Sequence, residues 1–171
     1  MRLILLLLLV ATSTLSCQSS INIYTVPKEE SQKESSIQVE LSWTAPPSWK
    51  EKALSEFRKA SFEIQSHEGK ADFSVVAFPG DAGGLLANIN RWRGQLQLPP
   101  FTEETLRRAI RNETHQRFQF KIVYFEGKNK EAILAAILSH ADQTWFFKLS
   151  GPSKLVSNQR RNFTLFLESL R

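Results

Sequence analysis

The chain of 171 residues carries a single cysteine, Cys17, and only three histidines. One thiol closes no internal disulfide, so folding must rest on an apolar core alone. His67, His115 and His140 are scattered, and nothing stands at zinc-ligand spacing from them. A catalytic nucleophile needs a base beside it, and the chain shows no seryl-hydrolase motif. These gaps point away from an enzyme, and they call for no metal and no cofactor. There is no internal repeat. The longest apolar run, residues 3–11, is roughly half of the ~20 residues that cross a bilayer as a helix.

That short run has another meaning where it stands. It follows Met1-Arg2 and precedes small, hydroxylated residues, the pattern of a secretory signal peptide over residues 1–16. Thr14-Leu15-Ser16-Cys17 resembles a bacterial lipobox, with Thr14 where that pattern carries an aliphatic residue. The resemblance implies cleavage before Cys17 and lipid attachment to it. Several acyl chains, at about 0.8 kcal/mol per buried methylene, would then anchor the protein to a membrane. The place implied is the cell envelope, facing the periplasm or the exterior. Read from the residues alone, ordinary secretion with an incidental Cys17 remains the alternative. Residues 17–36, rich in Ser, Gln, Lys and Glu, read as a flexible tether. Residues 37–171 make a single domain.

The net charge is +5 at pH 7, and removing the leader takes away only Arg2. A basic exported domain can lean on anionic headgroups, acidic polymers or an acidic partner; the same charge also simply keeps a protein soluble. Arg107, Arg108, Arg111, Arg160 and Arg161 occupy helix positions that a nucleic acid could use. Most aromatics, however, fall on strand core positions, and export removes the domain from intracellular nucleic acid, so no such partner is expected.

Along the domain, residues 37–43 alternate apolar and polar as a half-buried strand does. A proline turn over 44–49 sits between Trp43 and Trp49, and a short helix is predicted over 50–57. Residues 61–65 and 71–78 read as a hairpin, the second strand central because both of its faces are apolar. A helix over 85–98 places Leu85, Ile89, Trp92 and Leu96 inward, with Asn90, Arg91, Gln95 and Gln97 outward. Thr102 caps a second helix, with Glu103 and Glu104 at its positive end and Phe101 stapled onto Leu106. Arg107, Arg108 and Arg111 lie toward its negative end. Strands follow over 117–125, 131–139 and 144–149. A last helix over 153–171 buries Val156, Phe163, Phe166, Leu167 and Leu170. This order predicts an α+β fold, an antiparallel sheet of about six strands with helices packed on its faces.

The segment Gly80-Asp81-Ala82-Gly83-Gly84 opens the first helix. Glycines there either offer backbone N–H groups to an anion or permit left-handed backbone and close approach. Asp81 would repel phosphate, and neither P-loop nor dinucleotide spacing is present. Asn88, Asn90, Arg91, Arg93 and Gln95 form a dense polar set with two readings. They pin the helix to neighbouring loops, with Arg91 or Arg93 paired to Asp81 or a glutamate, or they form a recognition surface of planar donor forks.

The stretch Trp145-Phe146-Phe147-Lys148-Leu149-Ser150-Gly151-Pro152, with the helix ending Phe166-Leu167-Glu168-Ser169-Leu170, resembles the closing strand and helix of PsbP-like domains. Residues 80–100 resemble a group of uncharacterised bacterial lipoproteins. The resemblance implies an α/β/α sandwich and a non-catalytic binding or assembly domain. A protein partner in the envelope is expected, at a surface built from Asp81, Asn90, Arg91, Arg93, Gln95, Arg107 and Arg108. The alternative is carriage of a small anionic ligand in a cleft near the glycine-rich loop.

Overall fold

A computed structural model describes residues 40–171. The expected signal peptide, Cys17, the tether and the first residues of the strand expected over 37–43 lie outside the described residues. Seven strands and four helices follow in order: β1 (Lys50–Glu51), β2 (Arg58–Ser66), β3 (Gly69–Pro79), α1 (Leu85–Gln95), α2 (Glu103–Ala109), β4 (Arg111–His115), β5 (Phe118–Glu126), β6 (Glu131–His140), β7 (Gln143–Pro152), α3 (Ser153–Asn158) and α4 (Arg160–Glu168). The strands form one sheet in the order β1-β2-β3-β7-β6-β5-β4, every pair antiparallel. After the β2–β3 hairpin the chain crosses from mid-sheet to the far edge through α1 and α2. It returns as a meander from β4 to β7, which closes against β3. This is an α+β fold.

β6 shows how the two layers are divided. Its apolar run has no polar face because helices cover both sides. Ala132, Leu134, Ala136 and Leu138 enter the core shared with α3 and α4; Ile133, Ala135 and Ile137 enter the core shared with α1 and α2. Its alanines admit a helical reading, but the register with β5 and β7 is continuous. The α4 layer is aromatic: Trp49 lies 4.5 Å from Phe73 and 5.8 Å from Phe166, centroid to centroid. The Trp49 indole N–H also donates to Gln159 Oε1 at 2.9 Å. Burying one such large apolar side chain contributes roughly 1.5–3 kcal/mol.

The expected elements are corrected in four places. Residues 40–43 form no strand. Ser42 exchanges backbone hydrogen bonds with Arg171 at 3.2 and 3.0 Å, and the alternation of Leu41 and Trp43 records packing on the α4 layer instead. No helix forms over 50–57; β1 is followed by a loop exposing Leu54 and Phe57. Arg111 ends no helix, since α2 stops at Ala109 and Arg111 opens β4. The last helix is broken at Gln159 (ψ 0°) into α3 and α4, although Val156, Phe163, Phe166, Leu167 and Leu170 are all buried as expected.

Candidate functional site

The glycine-rich loop is conformationally demanding. Gly80, Gly83 and Gly84 have φ of 60, 81 and 89°, and even Ala82 sits at 53°. A Cβ added at these glycines would touch nothing within 4 Å, so glycine serves left-handed backbone here, not close approach. The loop consumes its own donors. Gly83 N–H donates to Asp81 Oδ1 at 3.1 Å, and Gly84 N–H donates to the Asp81 carbonyl at 3.0 Å. Asn88, buried on the first turn of α1, donates to the Ala82 and Gly84 carbonyls at 2.9 and 2.8 Å.

The polar set on α1 divides into two groups. Asn90 clasps one peptide unit, accepting from Phe101 N–H at 2.7 Å and donating to the Phe101 carbonyl at 3.0 Å. Arg93 is 7% exposed. Its guanidinium stands 3.5 Å over the Phe101 ring and 5.2 Å from the Phe125 ring, and its Nε donates to the Pro99 carbonyl at 2.8 Å. Burial lowers its pKa from the ordinary arginine value. These two residues fasten the connection into α2, so they belong to the packing of the domain. The pairing of Arg91 or Arg93 with Asp81 or a glutamate is corrected: Arg91 Nη1 donates to Asn88 Oδ1 at 3.1 Å.

Arg91 and Gln95 face outward. Arg107 and Arg108 are exposed on α2, which carries the expected Thr102 cap, and Arg108 pairs with Glu104 one turn earlier. Asp81 is exposed at the loop. His115 lies at the end of β4, with Nε2 3.3 Å from Glu113 and Nδ1 3.7 Å from Glu168. Among the described residues no cluster of three or more His, Cys, Asp or Glu side chains is placed to hold a metal. None of their helices is long and apolar enough to cross a membrane.

The structure joins Arg91 and Gln95 to residues that the sequence reading did not single out. A cleft of about 210 Å³ opens between α1 and the β3–β7 part of the sheet. Arg58, Arg91 and Lys148 line it with Ser74 and Asn88, and Trp92, Phe146 and Phe78 form its apolar wall. Arg58 grips Asp72 with both terminal nitrogens, at 3.0 and 2.9 Å, and Nη1 also donates to Ser61 Oγ at 2.8 Å. Lys52 reaches the same carboxylate at 3.2 Å. Burial raises the Asp72 pKa, but hydrogen bonds and charge from Arg58 and Lys52 more than reverse this, leaving it below the ordinary value. Lys148 Nζ has only a long contact, 3.4 Å, to Gln95 Oε1. Burial lowers its pKa, with Asp72 opposing. The legible signal was strand alternation: Lys148 shares a face with Phe146, beneath α1. A smaller cleft of about 120 Å³ beside the glycine loop has Asp81 in its lining, with Lys121 as its one cation.

No protein-family model matches the chain, and no curated protein matches it. Among solved structures it is similar to the cyanobacterial PsbP (CyanoP) of Synechocystis, at TM-score 0.47 and 11% identity over 77% of this chain and 91% of that one. It is also similar to LpqN of Mycobacterium tuberculosis, described as involved in cell envelope biogenesis, at TM-score 0.47 and 9% identity over 76% and 81%. A Bacteroides thetaiotaomicron protein gives TM-score 0.45 and 14% identity over 77% of this chain, which spans only 44% of that protein's length.

Proposed function

We propose that the chain is an exported, membrane-tethered, non-catalytic module that binds a protein partner in the cell envelope. The tether rests on the leader over residues 1–16 and on Cys17 as its lipid-bearing residue. The observation that favours a protein contact is the exposed outer side of the α1–α2 layer. Arg91, Gln95, Arg107 and Arg108 point into solvent there, on two helices that pack over one sheet face. Arginine forks suit carboxylates on a partner. Asn90 and Arg93 drop out of this contact surface, the first because its amide is bonded to Phe101 and the second because its guanidinium is buried against the Phe101 ring. Carriage of an anion beside the glycine loop is disfavoured, since Asp81 sits there and the loop amides donate internally.

Pull-down of the tagged full chain from envelope fractions, repeated with Arg107→Ala/Arg108→Ala, tests this surface. The reading expects a specific partner whose recovery falls at least several-fold while the melting temperature holds. Equal recovery by the variant contradicts it.

A further inference from the structure

Lys148 is half-buried without a carboxylate partner among the described residues. It projects from the middle of β7 beneath α1, and no described carboxylate forms an ion pair with it; Asp72 is already engaged by Arg58 and Lys52. Its 3.4 Å contact to the Gln95 amide oxygen is long and solvent-exposed, so the half-buried ammonium keeps donors to spare. Methionine or leucine would serve packing better. Three cations, Arg58, Arg91 and Lys148, line the cleft, and Arg58 shares the Asp72 carboxylate with Lys52. The terminal nitrogens of Arg58 are occupied. Arg91 commits Nη1 to Asn88 and keeps its other donors, and Lys148 keeps its own beyond the long Gln95 contact. Aromatic side chains supply the apolar part of the lining. Trp92 meets Phe146 edge to face at 5.6 Å, and Phe78, 6.3 Å from Phe146, is 38% exposed at the mouth.

We propose that this cleft is a binding site for a small phosphate monoester carrying a compact apolar group, with Arg91 and Lys148 donating to the phosphate and Trp92, Phe146 and Phe78 packing on the apolar part. A monoester carries roughly −1.5 to −2 charge at neutral pH, which suits the excess of cations better than a monocarboxylate does. An ammonium and a guanidinium fork from separate elements, α1 and β7, can address different oxygens of one phosphate. The site shares Arg91 with the proposed protein-contact surface, whose Arg107 and Arg108 lie outside its lining.

Calorimetric titration of the full chain in detergent tests it with four probes: phenyl phosphate, inorganic phosphate, benzoate and glycerophosphoglycerol, the diester headgroup without acyl chains. Phenyl phosphate is expected to bind at least about tenfold more tightly than each of the others. Lys148→Met and Arg91→Gln should each weaken it about tenfold or more, the loss expected for a charged donor. Lys148→Met should meanwhile melt no lower than the native chain without ligand. Three results would each overturn the proposal. Phenyl phosphate gives no binding up to about 10 mM; both variants bind it unchanged; or glycerophosphoglycerol binds as tightly, which makes the cleft a lipid-headgroup contact.

Discussion

Arg93→Ala separates an arginine that holds the domain together from one that meets a partner. The guanidinium donates to the Pro99 carbonyl at 2.8 Å and lies 3.5 Å over the Phe101 ring. A hydrogen bond from a charged donor contributes about 1.5–3 kcal/mol, and a desolvated cation–π contact about 0.5–2 kcal/mol. The two share one guanidinium and do not simply add. The net expectation is a loss of about 3 kcal/mol, or roughly 10 °C in Tm for a domain of this size. Arg93→Lys keeps the charge but not the planar fork, so it should recover less than half of that loss. Urea unfolding followed by tryptophan fluorescence reads both variants, with Trp92 on the same helix as a nearby reporter. A loss below about 1 kcal/mol with unchanged m would refute the packing role, because surface substitutions fall in that range.

Other positions give sharper local tests. At Gly151 (φ 156°) an added Cβ would stand 2.8 Å from Ala71 Cα and 2.9 Å from the Lys70 carbonyl oxygen; Gly151→Ala should therefore cost about 1–3 kcal/mol by forcing β7 off β3, and a neutral result in the same urea assay would contradict that register. Ala141 and Asp142 turn β6 into β7 with φ of 50 and 54°, a two-residue turn that favours asparagine. Ala141→Asn should thus stabilise by up to about 1 kcal/mol, and a fall in Tm would count against the turn. Asp72 has a folded pKa below its unfolded one, so its contribution is present above the unfolded pKa and disappears as pH falls through the folded value. The stability gap between the native chain and Asp72→Asn should close as pH drops below the ordinary carboxylate range, and a gap that stayed constant would deny the Arg58 and Lys52 pairing.

The readable parts of the fold were those whose burial pattern has one cause. β3 is apolar on both faces because packed layers cover both sides of the sheet there, and α1 and α2 show their stripe and cap plainly. β4 went unread because an edge strand pairing only β5 needs no apolar face; Arg111-Asn112-Glu113-Thr114-His115 carries charge that suits a helix end equally well. Leu41 and Trp43 misled in the opposite way, since alternation reports burial whether the cover is a sheet or a helix. At the site, Arg91 was legible as an exposed cation on α1. Arg93 was not legible as buried, because the ring that accepts it, Phe101, lies beyond the helix end. Arg58 on β2 and Lys148 on β7 are brought onto one cleft only because β3 pairs with both strands.

The tether is the claim on which the functional account turns, and mass spectrometry of the N-terminus of the protein recovered from its native membranes tests it directly. The account predicts a chain that begins at residue 17 with a diacyl or triacyl mass on Cys17. A chain that still begins at Met1, free of lipid and recovered from the cytosol, would contradict it.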